Sequence, residues 1–198
     1  SRLETANGFK KIGLCTQSPL WSDASVYAEH SVAGGNAIMY AMTEEALKQL
    51  RGKTFSNPIT LLDELLPGIM EYGKKITGNN HLKKTFALNA LVSIDNAAWL
   101  LYAAENKIGN FDDVIPDAYK PGLSYRHQNV ASMPSFGAGS DVQKIKAAAD
   151  QEYFILKLKI GAAGTQEEML RKDMEFITAV HKAIGHYKTP YTKSGKIP

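Results

Sequence analysis

Tyr153-Phe154-Ile155-Leu156-Lys157-Leu158-Lys159-Ile160-Gly161 is the stretch on which the reading of the whole chain turns. Side chains alternate along a β-strand, so Phe154, Leu156, Leu158 and Ile160 form one apolar face, and Tyr153, Ile155, Lys157 and Lys159 share the other. That second face turns cationic only at its C-terminal end. An antiparallel strand with one wet face is usually polar along the whole of it, whereas a parallel strand is apolar on both faces until it reaches the rim of its sheet. The pattern predicts a buried parallel strand that carries Lys157 and Lys159 to the rim, where the chemistry of parallel sheets and barrels sits.

Outward from this strand, the spacing predicts a long amphipathic helix over 165–184. Thr165 and Glu168 have capping-box spacing, and Gly185 stands where a helix end favours a left-handed residue. Upstream, Asp141–Asp150 reads as a short helix and Asn129–Ser135 as a strand. The order is β-α-β-α, which signals parallel strands with right-handed crossovers. Gly161-Ala162-Ala163-Gly164 precedes a helix but lacks the P-loop lysine and the full dinucleotide fingerprint, so it reads as a strand-to-helix turn rather than a phosphate seat. Residues 186–198 read as a loop.

Residues 107–128 carry Gly109, Pro116, Pro121 and Gly122 with few periodic apolar positions, which marks a domain boundary: residues 1–122 form one domain and 123–198 begin another. In the first, Arg2–Thr5 and Phe9–Thr16 read as a hairpin turning at Ala6-Asn7-Gly8. Residues 17–42 are irregular, with Ala37–Ala41 either a short strand or the lead into a helix. Thr43, followed by Glu44 and Glu45, predicts a helix start, and Gly52 its end. Asn57-Pro58 starts a second helix that Pro67 is placed to kink. A third, over 81–106, presents Phe86, Ala90, Ile94, Ala97, Ala98 and Leu101 at three- and four-residue steps. Asp95 and Asn96 interrupt that stripe and read as hydrogen-bonding groups to a neighbouring loop, not as catalysts.

The 198 residues are 44% hydrophobic and 22% charged, ordinary for a globular protein, and the net charge of +3 is scattered without a block of like sign. Nucleic acid is therefore a poor partner, since phosphate recognition needs a clustered basic face. Cys15 is the single cysteine, which excludes an intramolecular disulfide framework and fits a reducing cytoplasm. No apolar run approaches the ~18 residues of a spanning helix, so no membrane is expected. The histidines, His30, His81, His127, His181 and His186, form no H-x-H or HExxH arrangement. Trp21, in an irregular segment, is a candidate wall of a substrate pocket.

The chain resembles the enolase superfamily, closest in look to its mandelate racemase and muconate-lactonizing branch. Two segments carry the resemblance: Leu88–Trp99, LNALVSIDNAAW, with its Ile-Asp-x-Ala-x-Trp core, and Leu156–Gly161, LKLKIG. Leu100 departs from the family, which often has an aspartate after the tryptophan. The resemblance implies an α+β capping domain followed by the first β/α units of a TIM-type barrel, incomplete here: a closed barrel takes roughly 250 residues and eight strands, whereas residues 129–198 accommodate two β/α units. It implies that Lys159 is the general base that removes the proton next to a substrate carboxylate, and that Lys157 contacts that carboxylate or lowers the pKa of the base. Two ammonium groups on one face repel, and partial burial would disfavour charge further, so one becomes neutral near pH 7. It implies Mg²⁺ as cofactor, with ligands beyond residue 198 and none in this chain, and a segment of a longer racemase, dehydratase or cycloisomerase whose first capping strand precedes Ser1. A homo-oligomer is expected of the complete form. A second reading is a non-catalytic binding or assembly module.

Overall fold

The computed structural model describes residues 1–123 and 125–197, and the chain divides into two compact units, Ser1–Ser124 and Tyr125–Pro198.

In the first unit, strands β1 (Arg2–Glu4) and β2 (Lys10–Ile12) pair antiparallel, with Leu3 opposite Lys11. The turn between them follows from Asn7-Gly8: Gly8 sits at φ 87°, and its N–H donates to Thr5 O at 3.0 Å. The second strand is shorter than expected. Past Ile12 the chain runs along a helix instead, because Gly13 lies so close that a Cβ there would stand 2.0 Å from Ser93 O and 2.5 Å from Ala97 N.

Four helices follow: α1 (Pro19–Ser22), α2 (Ala24–Leu50), α3 (Pro58–Thr77) and α4 (Lys84–Glu105). The segment expected to be irregular is mostly helix, kinked at Ser31, whose φ of 64° and ψ of −178° break the helical run. Gly35, which read as punctuation, is a packing position: a Cβ there would meet the Pro19 ring at 2.6 Å. Thr43 is not a cap. It lies buried inside α2, and its hydroxyl faces two carbonyls, Met39 O at 2.9 Å and Ala90 O at 2.6 Å. Asn57 does cap α3, accepting from the N–H groups of Ile59 and Thr60, and the helix continues through Pro67. The stripe expected on α4 is the core, with Phe86, Ala90, Ile94, Ala97 and Ala98 fully buried. By length and composition α4 is also long and apolar enough to cross a membrane, and half of that apolar window is buried inside this unit. Short helices α5 (Phe111–Val114) and α6 (Lys120–Leu123) occupy the expected loop.

In the second unit, β3 (Ser135–Phe136), α7 (Val142–Asp150), β4 (Lys157–Leu158) and α8 (Gln166–Ile184) follow in that order, and β3 pairs parallel with β4. Leu156, Leu158 and Phe136 pack with Ile145 and Ala149 of α7 and with Phe176, Val180 and Ile184 of α8. The Thr165–Glu168 capping box is complete. Gly185, expected left-handed, is helical at φ −62°. After α8 the Tyr187 hydroxyl donates to the Asp150 carboxylate, and Lys146 is pushed up to about 12 by hydrogen bonding with Tyr187 and then Asp150.

The fold class implied by the resemblance is thus corrected. Among the described residues the chain is mostly helical, with two sheets of only two strands each, and it forms neither barrel units nor a capping domain followed by β/α repeats. The strand expected over 153–160 pairs only at Lys157 and Leu158, and that over 129–135 only at its last residue and Phe136. A ladder is as long as its partner, and β3 offers two residues.

The closest backbone approach in the first unit yields a stability test. Gly13→Ala is expected to cost more than about 2 kcal/mol, because the added methyl must displace helix backbone rather than a flexible side chain. Urea unfolding measures it, and a change below about 0.5 kcal/mol would show that the hairpin slides freely on α4.

Candidate functional site

The site anticipated from the sequence is the end of β4. The N–H of Lys157 donates to Pro134 O at 3.0 Å and that of Lys159 to Phe136 O at 2.8 Å. Both amides therefore point into the β3 ladder, and both side chains leave on the face opposite Leu156 and Leu158. Their Cα atoms stand about 6.6 Å apart along the strand. Both lysines are exposed, which differs from the partial burial expected for a base made neutral. Leu156 and Leu158 are covered by α7 and α8, whereas both lysine side chains are exposed. Neither ammonium meets an acidic partner among the described residues, in contrast to Lys146, which pairs with Asp150 at 2.9 Å.

Beyond the pair, the Gly161–Gly164 turn is closed by its own helix. The two carboxylate oxygens of Asp173 accept from Gly161 N at 2.8 Å and Ala162 N at 3.2 Å, Glu168 accepts from Thr165 N at 2.8 Å, and Lys172 Nζ donates to Ala163 O at 2.7 Å. The amides that would cradle a phosphate are already answered by carboxylates of α8, which supports the reading as a strand-to-helix turn.

Matched against known proteins, the chain finds no family model, no curated protein and no solved structure. The residues have to speak for themselves.

Trp21 lies in α1 of the first unit, where it is 83% exposed. It does not line the large cleft of that unit. What fixes its helix is Asp23, a buried carboxylate at the cap of α2. Asp23 Oδ1 accepts from Ser25 N at 3.0 Å and Ser25 Oγ at 2.6 Å, and Oδ2 accepts from Lys83 N at 2.8 Å, at the start of α4. Burial alone would raise its pKa, but the bonds from Ser25, Lys83 and Val26 together outweigh it and hold the carboxyl below its ordinary value. Asn89 adds a second tie, accepting from Ser18 N at 2.9 Å and Ser22 Oγ at 3.0 Å. Asp95 behaves otherwise: burial pushes its carboxyl up, against a hydrogen bond with Trp99. Its neighbour Asn96 holds the loop, Nδ2 donating to Leu14 O at 2.7 Å.

Among the described residues no three His, Cys, Asp or Glu side chains converge into a metal seat. The Mg²⁺ that the resemblance implies does not fit the residues present.

One feature escaped sequence reasoning: the cleft of about 870 Å³ beside β1, walled by the end of α2 with Arg51 and Lys53. Its signal was available in the hairpin itself, since a two-stranded sheet leaves an edge open.

Two outcomes test these contacts. Asp23→Asn is expected to lower stability by about 2 kcal/mol at neutral pH, because a paired carboxylate is lost and an amide must fit its buried seat. The contribution of a depressed carboxyl is present above the unfolded pKa of about 3.9 and disappears as pH falls through the folded value, so the variant should also show a flatter acid limb in thermal melts between pH 5 and pH 2. Asp173→Ala should release the Gly161 and Ala162 amides, read as faster hydrogen exchange at those two positions by NMR. Unchanged protection would mean that the turn is held by its backbone alone.

Proposed function

We propose that the lysine pair of β4 receives a small carboxylate and that its chemistry is removal of the proton next to that carboxylate, with Lys157 holding the anion and Lys159 acting as base. The observation that carries this reading is two adjacent ammonium groups on one open face, fixed by two ladder bonds and answered by no acid among the described residues. Two cations held side by side at a strand end lower the cost of bringing in a carboxylate, and the same field favours the negative charge that develops when the α-proton leaves. The resemblance in LNALVSIDNAAW and LKLKIG supports the same chemistry, with which racemisation, dehydration of a sugar acid and cycloisomerisation all begin.

Lys159 must be neutral to accept a proton. The bound substrate itself must shield the pair from water for that transfer. No step runs through a metal.

The test uses lactate, mandelate and gluconate in D₂O with the chain as it stands. Proton NMR should report loss of the Cα–H signal with wild type, its abolition by Lys159→Ala, and at least threefold weaker carboxylate binding with Lys157→Ala. Carboxylate binding without exchange would remove the catalytic half and leave a binding function. Absence of both would overturn the proposal.

A further inference from the structure

The first unit carries a surface that the lysine pair does not use. Within the hairpin, Thr5 N bonds Phe9 O, Gly13 N bonds Ser1 O, and the Ser1 amine bonds Gly13 O. Residues 1, 3 and 5 therefore direct their backbone groups into the ladder, and Arg2 and Glu4 direct theirs outward. Among the described residues nothing bonds those outward N–H and C=O groups. The edge is not bare to bulk water: β1 and its turn form one wall of the cleft of about 870 Å³, with the C-terminal end of α2 and the following loop as the other.

The dimensions select the occupant. One residue of strand fills a slot about 4.8 Å wide, about 10 Å deep and about 3.3 Å long, or about 160 Å³. The cleft thus takes about five residues of a single strand, and the wall facing it, Arg2–Asn7, is of matching length. A second copy would bring a two-stranded hairpin, twice that width. The chemistry selects further. Leu3 points to the core side of β1, and Leu50, Phe55 and Tyr102 line the cleft. Arg51 and Lys53 stand on the α2 wall without acidic partners among the described residues, whereas the acids of the cleft are engaged, Glu4 by Lys10 at 3.3 Å and Glu105 by Asn7 at 2.9 Å.

We infer that this cleft is a strand-addition site, in which an extended peptide alternating apolar and acidic residues pairs with the free edge of β1 and meets Arg51 and Lys53 with its acids. Backbone pairing supplies the affinity and the alternate side chains the selectivity.

The probe is an acetylated, amidated and fluorescently labelled hexapeptide of alternating valine and glutamate, compared with one of alternating valine and lysine, by fluorescence anisotropy on the full chain. The glutamate peptide should bind at least tenfold tighter than the lysine peptide. Glu4→Pro removes one outward N–H while leaving the β1–β2 ladder intact, since proline is tolerated where a strand's N–H faces away from its partner, and it should weaken binding at least tenfold. Glu4→Gln, which keeps the N–H, should not. The double variant Arg51→Glu with Lys53→Glu, both fully at the surface, should reverse the preference between the two peptides. Sensitivity to the charge reversal but not to Glu4→Pro would reduce the site to simple charge attraction and overturn strand addition. Self-association abolished by Glu4→Pro would assign the edge to a second copy instead, and no binding of either peptide at millimolar concentration would also overturn the proposal.

Discussion

The small side chains of α4 are the constraint on which the first unit depends. Ala87, Ala90, Ser93, Ala97 and Ala98 leave room for backbone where longer residues would hold it off, and each neighbour uses that room differently. The chain after β2 uses it by placing Gly13 against Ser93 O, and α2 by sending the Thr43 hydroxyl onto Ala90 O. The α2–α3 contact follows the same rule elsewhere, since a Cβ at Gly73 would stand 2.6 Å from Met42 Cε. Interiors packed this closely transmit any added volume to the backbone. The position of the hairpin, and with it the wall of the cleft, is therefore set from inside the helix bundle rather than by the two-stranded sheet, which is too small to hold itself.

Local chemistry was legible in the sequence wherever a few neighbouring residues settle the outcome. Asn57-Pro58, Asp141 and the Thr165–Glu168 box all cap the helices they announce, and the three- and four-residue stripe of α4 is its buried face. Thr43-Glu44-Glu45 has the same composition as a helix start, yet the helix runs through it, because a buried threonine can satisfy its hydroxyl on carbonyls of its own and a neighbouring helix. Gly35 misled for a related reason: a glycine placed for close packing on Pro19 looks in sequence like one placed for a turn. Neither distinction exists before the neighbour is in place.

Strand length failed differently. Alternation places Leu156 and Leu158 on the packed face and Lys157 and Lys159 on the exposed one, which depends only on the direction of successive side chains, whereas Ile160, expected on the apolar face, is exposed. How many of those residues enter a ladder, and whether their second face is covered, depends on partners that the eight residues do not encode. The lysines consequently share a face but are exposed, where partial burial was expected.

The carboxylates and cations divide the chain's capacity for ligands in an uneven way. Buried or half-buried backbone N–H groups at helix starts are the usual anion seats of a protein, and here they are filled internally, by Asp23 at α2 and by Asp173 and Glu168 before α8. A phosphate or carboxylate arriving from outside would have to displace an intramolecular carboxylate already in place, buried in the case of Asp23. Among the described residues, Lys157 and Lys159 on one unit and Arg51 and Lys53 on the other are exposed side-chain cations without acidic partners. An anion taken up at these positions would meet flexible ammonium and guanidinium groups, which hold charge without fixing orientation. Orientation then has to come from a second element: the β4 ladder that sets the spacing of the lysines, or the unpaired edge of β1 that can fix the direction of a peptide strand.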